Sequence, residues 1–210
     1  PSRGFGQSSD AVSTFAQIQR DILNPNCISC HSAGTSFARQ SGLVLTDDAA
    51  YAQLVEAKAR NTAARADRLV RVSTLGGLPG IEKSFMWEKI NAPQQDHFYS
   101  DHPHYGAIMP LGQPFLTNGQ LRFIQAWIGA GAPAAGVVAD PALLADASRF
   151  ESPPFVVLGP PESGFQLHLG PFDVWPNIDR EVLYFEPMET RVPQFISGYE
   201  ISMRPGSHHF

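Results

Sequence analysis

Five consecutive residues, Cys27-Ile28-Ser29-Cys30-His31, constrain this chain more than any other stretch. The spacing C-x-x-C-H puts two thiols one helical turn apart, with an imidazole directly after the second. That pattern is the attachment site of a c-type haem. Each thiol can add to one porphyrin vinyl group, and His31 can reach the iron from the proximal side. Two other chemistries use C-x-x-C. A redox disulfide is expected in a βαβ context, whereas the residues before Cys27 read as a helix. A zinc site usually needs a second pair of ligands at similar spacing, and the chain has no other Cys.

Composition narrows the class. The chain has 210 residues, 43% hydrophobic and 17% charged, as in a soluble globular protein of one or two domains. No apolar run approaches the roughly 20 residues that span a bilayer. The formal net charge of −5 makes nucleic acid a poor partner. Haem attachment would consume both Cys, leaving none for a disulfide. In bacteria that attachment occurs outside the cytoplasm, so a periplasmic or extracellular protein is expected. Pro1-Ser2-Arg3 is no signal peptide, so a leader has been removed or the chain starts inside a longer precursor.

Eighteen Gly and eighteen Pro cut the chain into short elements. Asp10 can cap a helix running to about Leu23, with Val12, Phe15, Ile18 and Ile22 on its apolar face and Asn24-Pro25-Asn26 as its stop. Gly42-Leu43-Val44-Leu45 is a short apolar run. Thr46 can open a helix carrying Tyr51, Leu54 and Val55, and another is expected from Ser84 to Ile90. Residues 56–66 read as a solvated helix face or a surface loop. Thr117-Asn118-Gly119-Gln120 is a capping box ahead of a helix with Leu121, Ile124, Trp127 and Ile128 on one face, closed by Gly129 and Gly131.

From about Phe15 to Ala132 the chain resembles a monohaem class I cytochrome c domain of the bacterial, exported kind. The matching pieces are Cys27-Ile28-Ser29-Cys30-His31, Gly42-Leu43-Val44-Leu45, Ile108-Met109-Pro110 and Trp127-Ile128-Gly129-Ala130-Gly131-Ala132. The resemblance implies one covalent haem c, His31 and Met109 as its axial ligands, and electron transfer with a redox partner protein. A Met sulfur as sixth ligand raises the potential. One departure is the insertion from Gln94 to Tyr105, whose His97 and His102, with His104, are alternative ligands. The other reading of Met109 is a gap-filling core residue.

Beyond a Pro- and Ala-rich linker, residues 136–154, the apolar period becomes two. Phe155 to Leu158, Phe165 to Leu169, Glu181 to Glu186 and Phe195 to Met203 all read as strands. The expected architecture is therefore a mainly α cytochrome c domain over 1–135, then a β-rich region over 155–210, an incomplete β-sandwich. From about residue 165 that region resembles the first part of copper type II, ascorbate-dependent monooxygenases. The carrying residues are Phe195 to Met203, then Arg204-Pro205-Gly206 and His208-His209. The resemblance implies His208 and His209 as copper ligands, with the family's remaining ligands falling beyond Phe210, so that the chain ends inside the pattern. Two alternative functions follow: the electron-feeding part of a copper-dependent monooxygenase, or a cytochrome subunit joined into an oligomer or larger complex through exposed strand edges.

Overall fold

The computed structural model describes residues 12–94, 98, 100–151, 154–170, 183–185, 187 and 192–203. The chain divides into two compact units, Pro1–Glu151 and Ser152–Phe210.

The first unit is helical. Its entry is α1 (Thr14–Ile18), a π-helical turn (Gln19–Leu23) and α2 (Asn24–Asn26), one continuous rod ending at Cys27. Ser13 caps it, its Oγ accepting from the Ala16 N–H at 3.2 Å; Asp10 lies outside the described residues. Pro25 does not stop the rod, because the wide π turn precedes it and relieves the crowding a Pro ring causes in α geometry. Ile18, Ile22 and Leu23 are buried, while Val12, ahead of the Ser13 cap, is exposed.

Short helices follow: α3 (Ser36–Ser41), α4 (Ala50–Leu54), α5 (Thr62–Ala66), α6 (Gly77–Glu82) and α7 (Phe85–Ile90). The longest described helix is α8 (Asn118–Gly129). Its capping box is complete: Thr117 Oγ1 accepts from the Gln120 N–H, and Gln120 Oε1 accepts from the Thr117 N–H, both at 3.0 Å. Leu121, Phe123, Ile124, Trp127 and Ile128 of α8 are buried in one core with Ile18, Ile22, Leu23, Leu54 and Leu116. A second cluster joins Ala64, Leu69, Phe98, Tyr105 and Ile108.

Residues 136–151 belong to this unit and are no linker. Thr14 Oγ1 accepts from the N–H groups of Val138 and Ala139 at 2.8 and 3.2 Å, and the Thr14 N–H reaches Gly136 O at 2.9 Å. Downstream, the Asn118 N–H bonds Ser148 O at 2.7 Å, and Arg122 pairs with Asp146 at 2.7 Å. Small residues and Pro read as connection, yet they also allow a segment to lie flat against a helix. Gly119 shows this, since a Cβ there would stand 2.2 Å from Leu143 O.

The expected β-rich region is corrected. Among the described residues no strand is present in either unit; the only β pairings are the isolated bridges Val55–Val72, Lys58–Val70, Val70–Ser84 and Thr117–Arg149. The described parts of 155–203 make no ladder. Hydrogen bonds among them include the side-chain contacts of Gln166 Nε2 to Leu158 O at 2.8 Å and Ser202 Oγ to Val156 O at 3.3 Å. Apolar residues that the alternation would bury are open, Phe195 at 96% exposure and Phe165, Leu167 and Leu169 near half. Alternation specifies a strand only where a neighbour pairs its backbone. Pro154, Pro160, Pro161 and Pro193 each remove a ladder donor and fix φ. The incomplete β-sandwich, and the sheet edge through which an assembly was expected, are thereby overturned.

Candidate functional site

The rod formed by α1 and α2 delivers Cys27 into a tight turn. The Cys27 N–H bonds Leu23 O at 2.8 Å, the Cys30 N–H bonds Cys27 O at 3.2 Å, and the His31 N–H bonds Cys27 O at 2.9 Å. Two hydroxyls lock the turn from outside. Ser32 Oγ donates to Ile28 O at 2.5 Å, and Thr35 Oγ1 donates to Cys30 O. Both thiols are free and partly buried. Burial, with Cys30 alongside, pushes the Cys27 thiol up to about 12.

His31 is oriented by the Gly42–Leu45 loop. Its Nδ1 lies 3.2 Å from Leu43 O, so the tautomer with the proton on Nδ1 donates there. The Leu45 N–H returns to His31 O at 2.8 Å. The loop is itself held at each step. Arg71 Nη2 donates to Gly42 O at 2.8 Å, Gln53 Oε1 accepts from the Val44 N–H at 2.7 Å, and Gln19 Nε2 donates to Leu45 O at 2.9 Å. Gly42 sits at φ +62, the left-handed exit that ends α3. Burial lowers the His31 pKa, and the Arg71 charge lowers it further against the opposing pull of the Leu43 carbonyl. Its Nε2 has no hydrogen-bond partner among the described residues.

Met109 approaches the same core from α7. Its N–H bonds Lys89 O at 2.6 Å, and the Met109–Pro110 peptide is cis. Ile108 is buried in the second cluster while Met109 packs, partly buried, against the first. Cys27, Ile28, Leu43, Met86 and Trp87 border that first cluster in the same half-buried way.

The side chains around this turn are of the types that a haem c site uses. The donor set is two unpaired thiols on one turn, an imidazole with a free Nε2, a thioether, and half-buried apolar side chains bordering a single core. Cys27 and Cys30 could hold the macrocycle, and His31 and Met109 could ligate its iron.

The alternative imidazoles are placed differently. The His102 ring stacks on Tyr105, with centroids 4.3 Å apart and planes 6° from parallel. The side chain of His104 is exposed. His97, together with His208 and His209, lies outside the described residues. Among the described residues no group of three or more His, Cys, Asp and Glu gathers to hold a metal ion. No helix among them is long and apolar enough to cross a membrane.

Lys89 was not legible as part of this site. Its ammonium donates to Tyr105 O at 3.0 Å and to Ala107 O, and sits 5.8 and 5.5 Å from the Phe85 and Phe98 ring centroids. Burial pushes its pKa down to about 8. The available signal was a cation flanked by the apolar residues of α7. Comparison with family models, curated proteins and solved structures finds no match.

Proposed function

We propose that this chain transfers electrons through one haem c, thioether-linked to Cys27 and Cys30, with His31 and Met109 as axial ligands. The observation that carries the reading is the Cys27–His31 turn, with both thiols unpaired and His31 clamped through Nδ1 while Nε2 stays free. When bound, the haem supplies a one-electron Fe(II)/Fe(III) couple. The chain's own part is to bind and insulate. The Leu43 carbonyl fixes the imidazole plane and strengthens Nε2 as a donor. Ile28, Leu43, Met86 and Trp87, half-buried against the core, would give a bound haem apolar surroundings, which favour the less charged reduced state. With His31 and Met109 both engaged, a bound haem would offer no site for a substrate, which fits the role of a carrier for a redox partner protein. Covalent attachment of this kind implies export to the periplasm or beyond.

The test is the protein isolated from a host that attaches haem c. One haem per chain should resist acid–acetone extraction and give the pyridine haemochrome of two thioethers. Ferric protein should show the weak near-infrared band of Met–Fe(III), lost in Met109→Ala with a fall in potential. An extractable haem, a bound zinc ion, or no haem would overturn the reading.

A further inference from the structure

We propose that Lys89 is the residue that fixes the loop presenting Met109. Its ammonium gathers the carbonyls of Tyr105 and Ala107, while its own carbonyl receives the Met109 N–H at 2.6 Å. A lysine on a short helix is ordinarily solvated; here it is partly buried, with its charge turned onto backbone carbonyls and two aromatic faces. A cation held this way is expensive unless its donors are used, and hydrogen bonds from a charged donor are about twice as strong as neutral ones.

The loop's own geometry is built around that ammonium. Gly106 has φ +79, and a Cβ there would stand 3.5 Å from Lys89 Nζ. The chain therefore turns over the ammonium by a left-handed residue, and the carbonyls on either side of it face inward. The far end is pinned independently, Tyr105 Oη donating to Asp67 Oδ2 at 2.6 Å. Only Ile108 separates Ala107, the last residue of this knot, from Met109. Lys89 thus acts through the backbone as a positioning residue, and its consequence for the iron rests on the ligation by Met109 proposed above.

The experiment compares wild type with Lys89→Met, which keeps the length but not the donors, and Lys89→Gln, which keeps N–H donors without the charge. Two quantities are read on haem-loaded protein: hydrogen exchange of the Tyr105 and Met109 amides, and the Met–Fe(III) near-infrared band with the potential. In Lys89→Met, exchange at these amides should rise about tenfold or more, as loss of two charge-assisted hydrogen bonds implies. The Met–Fe(III) band should weaken and the potential fall, with one covalent haem retained. Lys89→Gln should lie between, and it carries the test alone if Lys89→Met does not fold. Unchanged exchange in the variants overturns the proposal. So does loosening spread evenly over the chain with the band intact, which is a general stability effect. If wild type lacks covalent haem or the Met band, the ligand assignment falls, and exchange at Tyr105 and Met109 still decides whether Lys89 holds the loop.

Discussion

Tyr105 Oη donates to Asp67 Oδ2 at 2.6 Å, joining the segment ahead of Met109 to the end of α5. The Tyr105 ring is buried among Phe85, Phe98 and His102, and only its hydroxyl reaches the exposed carboxylate. Burial, followed by the hydrogen bond and charge of Asp67, raises the phenol pKa above its ordinary value of 10. The folded state then holds this proton more tightly than the unfolded state. By linkage its contribution is complete below pH 10 and is lost as pH rises through the folded pKa. Tyr105→Phe should cost about 1–2 kcal/mol at neutral pH, and should flatten the alkaline decline. Urea unfolding from pH 7 to 11 on both proteins measures it. Coincident curves for the two would show that the bond contributes nothing.

Gly119 and Gly129 lie on the same helix and should respond oppositely to alanine. In an exposed helix Gly→Ala gains up to about 1 kcal/mol. A Cβ at Gly129 meets nothing within 4 Å, so that gain is expected there. At Gly119 it would stand 2.2 Å from Leu143 O and 2.7 Å from Asp146 O. Gly119→Ala must displace the 141–146 segment, at a cost of about 1–3 kcal/mol. Thermal melts of the two variants should move in opposite directions.

Trp127 is fully buried, 5.3 Å from the Phe15 ring, and donates Nε1–H to Pro133 O at 2.9 Å. Trp127→Phe removes ring volume and leaves that carbonyl unpaired, for about 2–4 kcal/mol. In a unit of this size that corresponds to a fall in Tm of roughly 5–15 °C. A shift under 2 °C would show that the carbonyl finds water and the core closes over the gap.

Cys27 should resist alkylation in the haem-free folded chain. With its pKa pushed up to about 12, its thiolate is a minute fraction at pH 8, and the thiolate is the reactive form. Iodoacetamide at pH 8 followed by peptide mass spectrometry should mark Cys30 well before Cys27, with urea abolishing the difference. Equal labelling of both in the folded protein would contradict the placement of Cys27 against the core.

The helical frame was written locally. The capping box at Thr117 and the apolar face from Leu121 to Ile128 depend on residues a few positions apart, and each forms as its pattern implies. The pair of thiols and the imidazole after them were equally legible, because a turn between Cys27 and His31 needs no distant partner. What surrounds them was not. Leu43 O on His31, Arg71 on Gly42 and Lys89 on the Met109 loop are contacts between segments far apart in sequence, and only packing selects them. The same physics explains the misread second unit. Alternation in Phe165 to Leu169 and Phe195 to Met203 states which faces would be buried, but a strand exists only when another strand supplies its hydrogen bonds. Local pattern determined α7, α8 and the Cys27–His31 turn by itself; tertiary structure alone decided how His31 and the Met109 loop are held and that the described alternating segments form no ladder.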